Sequence, residues 1–286
     1  MIQETSQIAK NMETAKGVME KHLGKITDLV KVVVSGYSDS LILISDGGLG
    51  KSFTVLETLK EKSMEENRDF AYITTFATSL ELYNLLFIHK DKVVVLDDVE
   101  GILTDKKSIS ILKSALWSSS GKREISYYSK TSLLDAPNKF EFSGKLIICI
   151  NEIGNSRIIQ ALTSRCLFYS LEFDYEDKIE LIEALGILYS IPSELIDFIK
   201  MNTSPATENL SMRTLIHIWN VYRYDAENGN SGKWREIAKN LLKTDENFFT
   251  LQEITNSGKP VNEQISDFIK RTGKSRRTYY YWKKGG

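Results

Sequence analysis

Two kinds of apolar pattern alternate along the first half of the chain. Short, nearly continuous apolar runs stand at 41–44, 70–76, 92–96 and 146–150. Between them apolar residues recur every three or four positions, at 51–62, 79–89 and 108–117. The first pattern predicts strands buried on both faces, and the second predicts helices that bury one stripe. Helical spacing also runs through 1–31, carried by Ile8, Met12, Ala15, Val18, Met19 and Leu23. Strand and helix in alternation predict an α/β fold, a parallel sheet flanked by helices.

Beyond residue 173 the strand signal fades. Segments 177–189, 193–201, 211–224 and 233–242 all read as helices, with polar, turn-rich breaks at 225–232 and 255–260. The expected organisation is an α/β core over 1–173, a small helical domain over 174–245 and a further helical segment over 246–286. The length, 286 residues, suits one large domain or two modest ones.

Composition narrows the class. With 42% hydrophobic residues the chain can fill a sizeable core. No apolar run approaches the roughly 18–20 residues that span a bilayer, and the first residues carry no apolar leader, so a cytoplasmic protein without a membrane partner is expected. Two cysteines, Cys149 and Cys166, are too few for a disulfide framework or a zinc site of their own. The net charge of −1 hides an asymmetry: 260–286 holds seven basic and two acidic residues, a net +5, against −6 for the rest. A basic, aromatic end on an acidic body points to nucleic acid.

The strongest chemical signal is Ser45-Asp46-Gly47-Gly48-Leu49-Gly50-Lys51-Ser52, followed by Phe53. It leaves an apolar strand and opens a helical pattern, the context of a phosphate-binding loop. Glycines let successive backbone N–H groups face one anion, and the helix N-terminus adds partial positive charge. ATP is the implied ligand: Lys51 would reach its outer phosphates, and the Ser52 hydroxyl would meet Mg2+. Ser45 stands where this motif normally begins with Gly, at a position that starts the turn. A second run, Val93-Val94-Val95-Leu96-Asp97-Asp98, ends an apolar strand in two acids. There Asp97 would complete the Mg2+ site and Asp98 would orient or deprotonate the attacking water.

With these motifs placed, residues 25–225 resemble the AAA+ ATPases. The resemblance implies a P-loop AAA+ sheet followed by a helical lid, and it implies roles for three more residues. Asn151, after Leu146-Ile147-Ile148-Cys149-Ile150, matches the sensor-1 position. Arg165, in Ser164-Arg165-Cys166, is similar to the arginine finger of clamp-loader subunits, with Arg157 as a rival. Arg213 resembles sensor 2 on the lid, and 34–37 falls where the adenine pocket would be. The family's acidic motif usually ends Asp-Glu; the Asp-Asp ending here resembles viral superfamily 3 helicases and leaves the base open between Asp98 and Glu100. A polar hairpin pattern at 122–142 resembles the pore hairpin of such helicases.

In the basic end, an amphipathic helix at 262–271, a turn at Gly273 and a second helix at 276–284 resemble a homeodomain-like helix-turn-helix. Lys274, Arg276, Arg277, Tyr280, Lys283 and Lys284 are its candidate DNA contacts, while Tyr281 or Trp282 packs inward. So short a unit must borrow helices from 233–254 for a core. Together these resemblances imply a DNA-associated ATPase assembling as a ring or spiral, such as a hexamer, that remodels or translocates DNA or a DNA-bound replication protein. The alternative is a non-catalytic, ATP-dependent DNA-binding switch.

Overall fold

The computed structural model describes residues 2–75, 78–118, 120–128, 136–151, 156–229, 231–245 and 247–283. It divides into two compact units, one of Leu23–Glu172 and one of Met1–His22 with Phe173–Gly286. Helix α1 (Ile2–Val34) contributes residues to both.

In the first unit the order is β1 (Ser40–Ile44), α2 (Lys51–Glu61), β2 (Phe70–Ile73), α3 (Ser79–Ile88), β3 (Val93–Asp97), α4 (Lys106–Leu116), β4 (Glu124–Ser126), β5 (Lys139–Glu141), β6 (Lys145–Ile150), α5 (Ser156–Thr163) and β7 (Leu167–Ser170). Five strands form one parallel sheet in the order β2-β3-β6-β1-β7. Strand β3 is buried throughout, as its unbroken apolar run requires of a central parallel strand. Leu82 and Leu86 of α3 and Ile111, Leu112 and Ala115 of α4 pack into one core with Val94, Leu96, Leu146 and Ile148 of the sheet. Strand β7 is an addition to the expected elements. It is a four-residue edge strand with Phe168 exposed, too short and too mixed to stand out in an apolar pattern.

Of the hairpin pattern at 122–142, the described residues form an antiparallel pair of three-residue strands, β4 and β5, with Ile125 opposite Phe140; residues 129–135 lie outside the described set. Its basic start divides: Lys122 is exposed and Arg123 is not. Arg123 is 4% exposed and donates to the carbonyls of Ala115, at 2.9 Å, and Gly144. Its guanidinium also stacks 5.0 Å over Phe142, so this cation ties the end of α4 to the hairpin base. Gly144 is required at that junction, because a Cβ there would lie 2.1 Å from the Lys92 carbonyl oxygen.

The second unit is helical: α6 (Tyr175–Leu188), α7 (Ser193–Asn202), α8 (Met212–Glu227), α9 (Trp234–Leu242), α10 (Asn247–Thr255), α11 (Val261–Thr272) and α12 (Arg276–Lys283). Asp174 and Asp177 close a capping box on α6. His22 of α1 faces Glu180 at 2.8 Å and Asp177 at 3.7 Å, and Lys21 meets Glu180 at 2.7 Å. This acid–histidine group has metal-ligand composition, with Lys21 and His22 both hydrogen-bonded to Glu180.

Candidate nucleotide site

Strand register assembles the site. Strand β6 lies between β3 and β1, with Ile150 beside Ile44 and Cys149 beside Asp97. The chain leaving β1 becomes the phosphate-loop motif, the chain leaving β3 carries Asp98, and Asn151 emerges between them. Three separate sequence motifs thus meet at the C-terminal edge of the sheet, where open α/β folds bind ligands.

The loop between β1 and α2 has Gly48 at φ 79° and Gly50 at φ 88°, left-handed values that a side chain would strain. Helix α2 begins after Gly50 with no side-chain cap on its first N–H groups. Those donors are therefore left for an outside acceptor such as a phosphate. Asp46 and Gly47 are exposed, Leu49 is buried beneath the loop, and Phe53 is exposed on α2.

Lys51 is 5% exposed. Its ammonium donates to Asn151 Oδ1 at 3.0 Å and to the Ser45 carbonyl at 3.4 Å. Asn151 Nδ2 in turn donates to Asp98 Oδ1 at 2.6 Å. The two neighbours fix the amide's orientation, since Lys can only donate and the Asp98 carboxylate can only accept. Asp98 itself is exposed and has φ 54°, a left-handed conformation that Asp tolerates better than most residues. Lys51, Asn151 and Asp98 therefore form one continuous hydrogen-bonded chain.

Asp97 sits beside that chain, 6% exposed, with a hydroxyl on each carboxylate oxygen. Ser52 Oγ donates to Oδ1 at 2.7 Å, and Tyr72 of β2 donates its phenol to Oδ2 at 2.6 Å. Burial and the Asp97 carboxylate push the Tyr72 phenol far above its usual range, so it remains a donor. Cys149, fully buried next to Asp97, is likewise held as a thiol, chiefly by desolvation. Tyr72 was not marked by any motif; its only sequence signal is a polar-tipped aromatic at the end of a buried strand.

Arg165 lies between α5 and β7, half-buried, and bonds the Ala161 carbonyl and, at 3.5 Å, Ser164 Oγ. It borders an open cavity of about 420 Å³ together with Lys113, Lys122, Ser114, Ser118 and Trp117. Arg157 falls in α5 and Glu100 in a 3-10 turn after β3, but their side chains lie outside the described set. Arg213 is exposed in the first turn of α8, in the helical unit. Val34 ends α1 and residues 35–37 turn away from it: Gly36 has φ 84°, and Tyr37 is 88% exposed.

At the basic end, α10, α11 and α12 close around Phe248, Leu251, Ile254, Ile265, Phe268, Tyr279 and Trp282. Gly273 ends α11 in a left-handed cap, and Ser275 Oγ accepts from Thr278 N at 3.1 Å to begin α12. Trp282 is the inward residue, while Tyr281 is 59% exposed. The candidate contacts divide. Arg276, Arg277 and Tyr280 are exposed, with the Arg276 guanidinium 5.7 Å over the Tyr280 ring. Lys274 is paired with Asp245 at 2.7 Å, and Lys283 donates to Tyr279 Oη at 3.2 Å. Lys284 lies outside the described residues.

The residues present fit ATP with Mg2+. Ser52 Oγ and the Asp97 carboxylate are hard oxygen donors held together, as a small divalent cation requires, and the loop and uncapped helix start offer N–H groups to phosphate. The geometry defines a phosphate-loop nucleotide fold. Two variants of Thermotoga maritima RuvB share the architecture, each at 14% identity and TM-score 0.51; one covers 91% of this chain and 86% of its own, the other 93% and 85%. Domain III of the Thermotoga maritima replication initiation protein DnaA aligns at 16% identity and TM-score 0.48 over 78% of this chain and 93% of that domain. The chain has the AAA+ ATPase fold, a five-stranded parallel sheet flanked by helices and followed by a helical region. In sequence it is similar to an Enterobacteria phage T4 protein described as an uncharacterized 36.7 kDa protein in the nrdC-mobD intergenic region, 20% identical over 265 residues, 82% of this chain and 78% of that protein. No sequence profile of a known protein family matches the chain. Among the described residues no helix is long and apolar enough to cross a membrane.

Proposed function

We propose that the chain is a Mg2+-dependent ATP hydrolase of DNA metabolism that works as a ring or spiral of copies. The observation that carries this reading is the linked set at the sheet edge, Lys51–Asn151–Asp98 beside Ser52–Asp97. The loop and Lys51 bind the outer phosphates, and Ser52 with Asp97 holds Mg2+, which neutralises phosphate charge when bound. Asp98 orients or deprotonates water, with Asn151 holding its carboxylate. Arg165 meets the nucleotide of a neighbouring copy, a role supported by its place beside an open cavity that Lys113, Lys122 and Glu124 also line. Arg213 acts as the lid's contribution. The exposed Arg276, Arg277 and Tyr280 contact DNA, a reading supported by their placement on one helix of a unit with its own core. The work done by hydrolysis is then on DNA itself or on a DNA-bound replication protein.

A second reading is a nucleotide-dependent DNA-binding switch with negligible turnover, supported by the Asp-Asp ending, in which Asp98 reaches one methylene less far toward water than a Glu would. Steady-state ATP hydrolysis with and without DNA separates the two. Turnover that rises with DNA and vanishes in Lys51→Ala supports the hydrolase; tight Mg2+-ATP binding without turnover supports the switch.

A further inference from the structure

Asp97 is clamped from two sides. Ser52 reaches Oδ1 from the start of α2 at 2.7 Å, and Tyr72 reaches Oδ2 from β2 at 2.6 Å. Tyr72 and Asp97 stand on neighbouring strands, Tyr72 opposite Val95, so the phenol approaches Asp97 along the sheet edge. An aspartate's terminal torsion is soft, and a carboxylate with one partner can turn either oxygen toward it. With both oxygens held, only one orientation remains, and it presents Oδ1 on the Ser52 side.

We propose that Tyr72 is a positioning residue for the divalent cation: by holding Asp97 Oδ2 it keeps Oδ1 turned toward Ser52 and so sets the affinity of the site for Mg2+. This rests on the reading that Ser52 and Asp97 hold Mg2+. Partners that orient a metal's ligands from behind govern affinity strongly, and their loss typically weakens metal binding by about 10–100-fold. The opposite effect is also physically defined. If the phenol served only to withdraw charge from the carboxylate, its removal would leave a stronger ligand and tighter Mg2+ binding.

The test uses the full chain and a fluorescent ATP analogue. Tyr72→Phe keeps the ring and removes only the hydroxyl. Its affinity for the analogue in EDTA should equal the parent's, which reports an intact loop. The Mg2+ concentration that half-restores tight binding should rise roughly ten-fold. An unchanged or lower Mg2+ requirement in Tyr72→Phe, beside a parent that does respond to Mg2+, overturns the proposal alone. A parent whose analogue binding ignores Mg2+, or an Asp97→Ala variant that keeps the full Mg2+ response, overturns the underlying assignment of Ser52 and Asp97 and this proposal with it.

Discussion

Lys51 offers a test in which stability and ligand binding move apart. Its ammonium is 5% exposed, and its hydrogen-bond partners among the described residues, the Ser45 carbonyl and the Asn151 amide oxygen, are both neutral. A buried cation held by neutral acceptors gains little to offset its lost hydration. Lys51→Met keeps the length and apolar stem and removes the charge. The expected change in unfolding free energy without nucleotide is within about 1 kcal/mol, of either sign, since the missing charge-assisted bonds and the relieved desolvation oppose each other. With ATP analogue and Mg2+ at a hundred times the parent's dissociation constant, the parent should gain about 2.7 kcal/mol, a rise of roughly 4–5 °C in melting temperature for a 286-residue chain unfolding as one. The variant should gain almost none of it. Differential scanning fluorimetry on both proteins, with and without nucleotide, reads all four values. A variant that keeps the parent's nucleotide-induced shift would refute the phosphate-loop assignment. One that unfolds several degrees earlier in the absence of nucleotide would show that Lys51 is a structural cation instead.

Asp98→Asn should bind Mg2+-ATP as the parent does and lose at least about a hundredfold in turnover; if turnover survives and Glu100→Gln abolishes it, the base is Glu100. Arg165→Ala should be inactive alone and regain part of its activity when mixed with inactive Lys51→Ala, because some interfaces then pair an intact loop with an intact arginine; no recovery in confirmed mixed assemblies would remove the trans role. Arg276→Ala with Arg277→Ala should weaken DNA binding and flatten its salt dependence by roughly one unit of slope for each phosphate that is no longer neutralised, with melting unchanged. Trp282→Ala should cost about 3–5 kcal/mol and melt the C-terminal helices, and an unaltered fold there would contradict the packing described.

Much of the site was legible because its residues sit in local patterns. Lys51 and Ser52 are spaced by the glycine loop itself, and Asp97, Asp98 and Asn151 each end an apolar run, so strand ends and chemistry are read together. What stayed hidden depends on distant partners. Tyr72 is an ordinary strand residue until β3 brings Asp97 beside it, from 25 positions away. Arg123 sits in a basic, hairpin-like stretch that reads as exposed; its burial is set by the carbonyls of Ala115 and Gly144. Lys274 and Lys283 look like Arg276 and Arg277 in the sequence, and only Asp245 and Tyr279 distinguish them. Strand β7 escaped because an edge strand buries only half of what a central one does.

The last helix divides its labour by side. Tyr279 and Trp282 anchor it, and Tyr279 adds a polar fastening, donating to buried Gln264 at 2.6 Å, with Lys283 alongside. Arg276, Arg277 and Tyr281 are exposed and outside that cluster, while the Tyr280 ring stands edge-on to Tyr279 at 5.4 Å. Anchor and outward face can thus vary independently: mutation can rewrite what this surface meets while the helix stays where it is. A lineage changing its target could do so at three positions, without having to refound the unit that carries them.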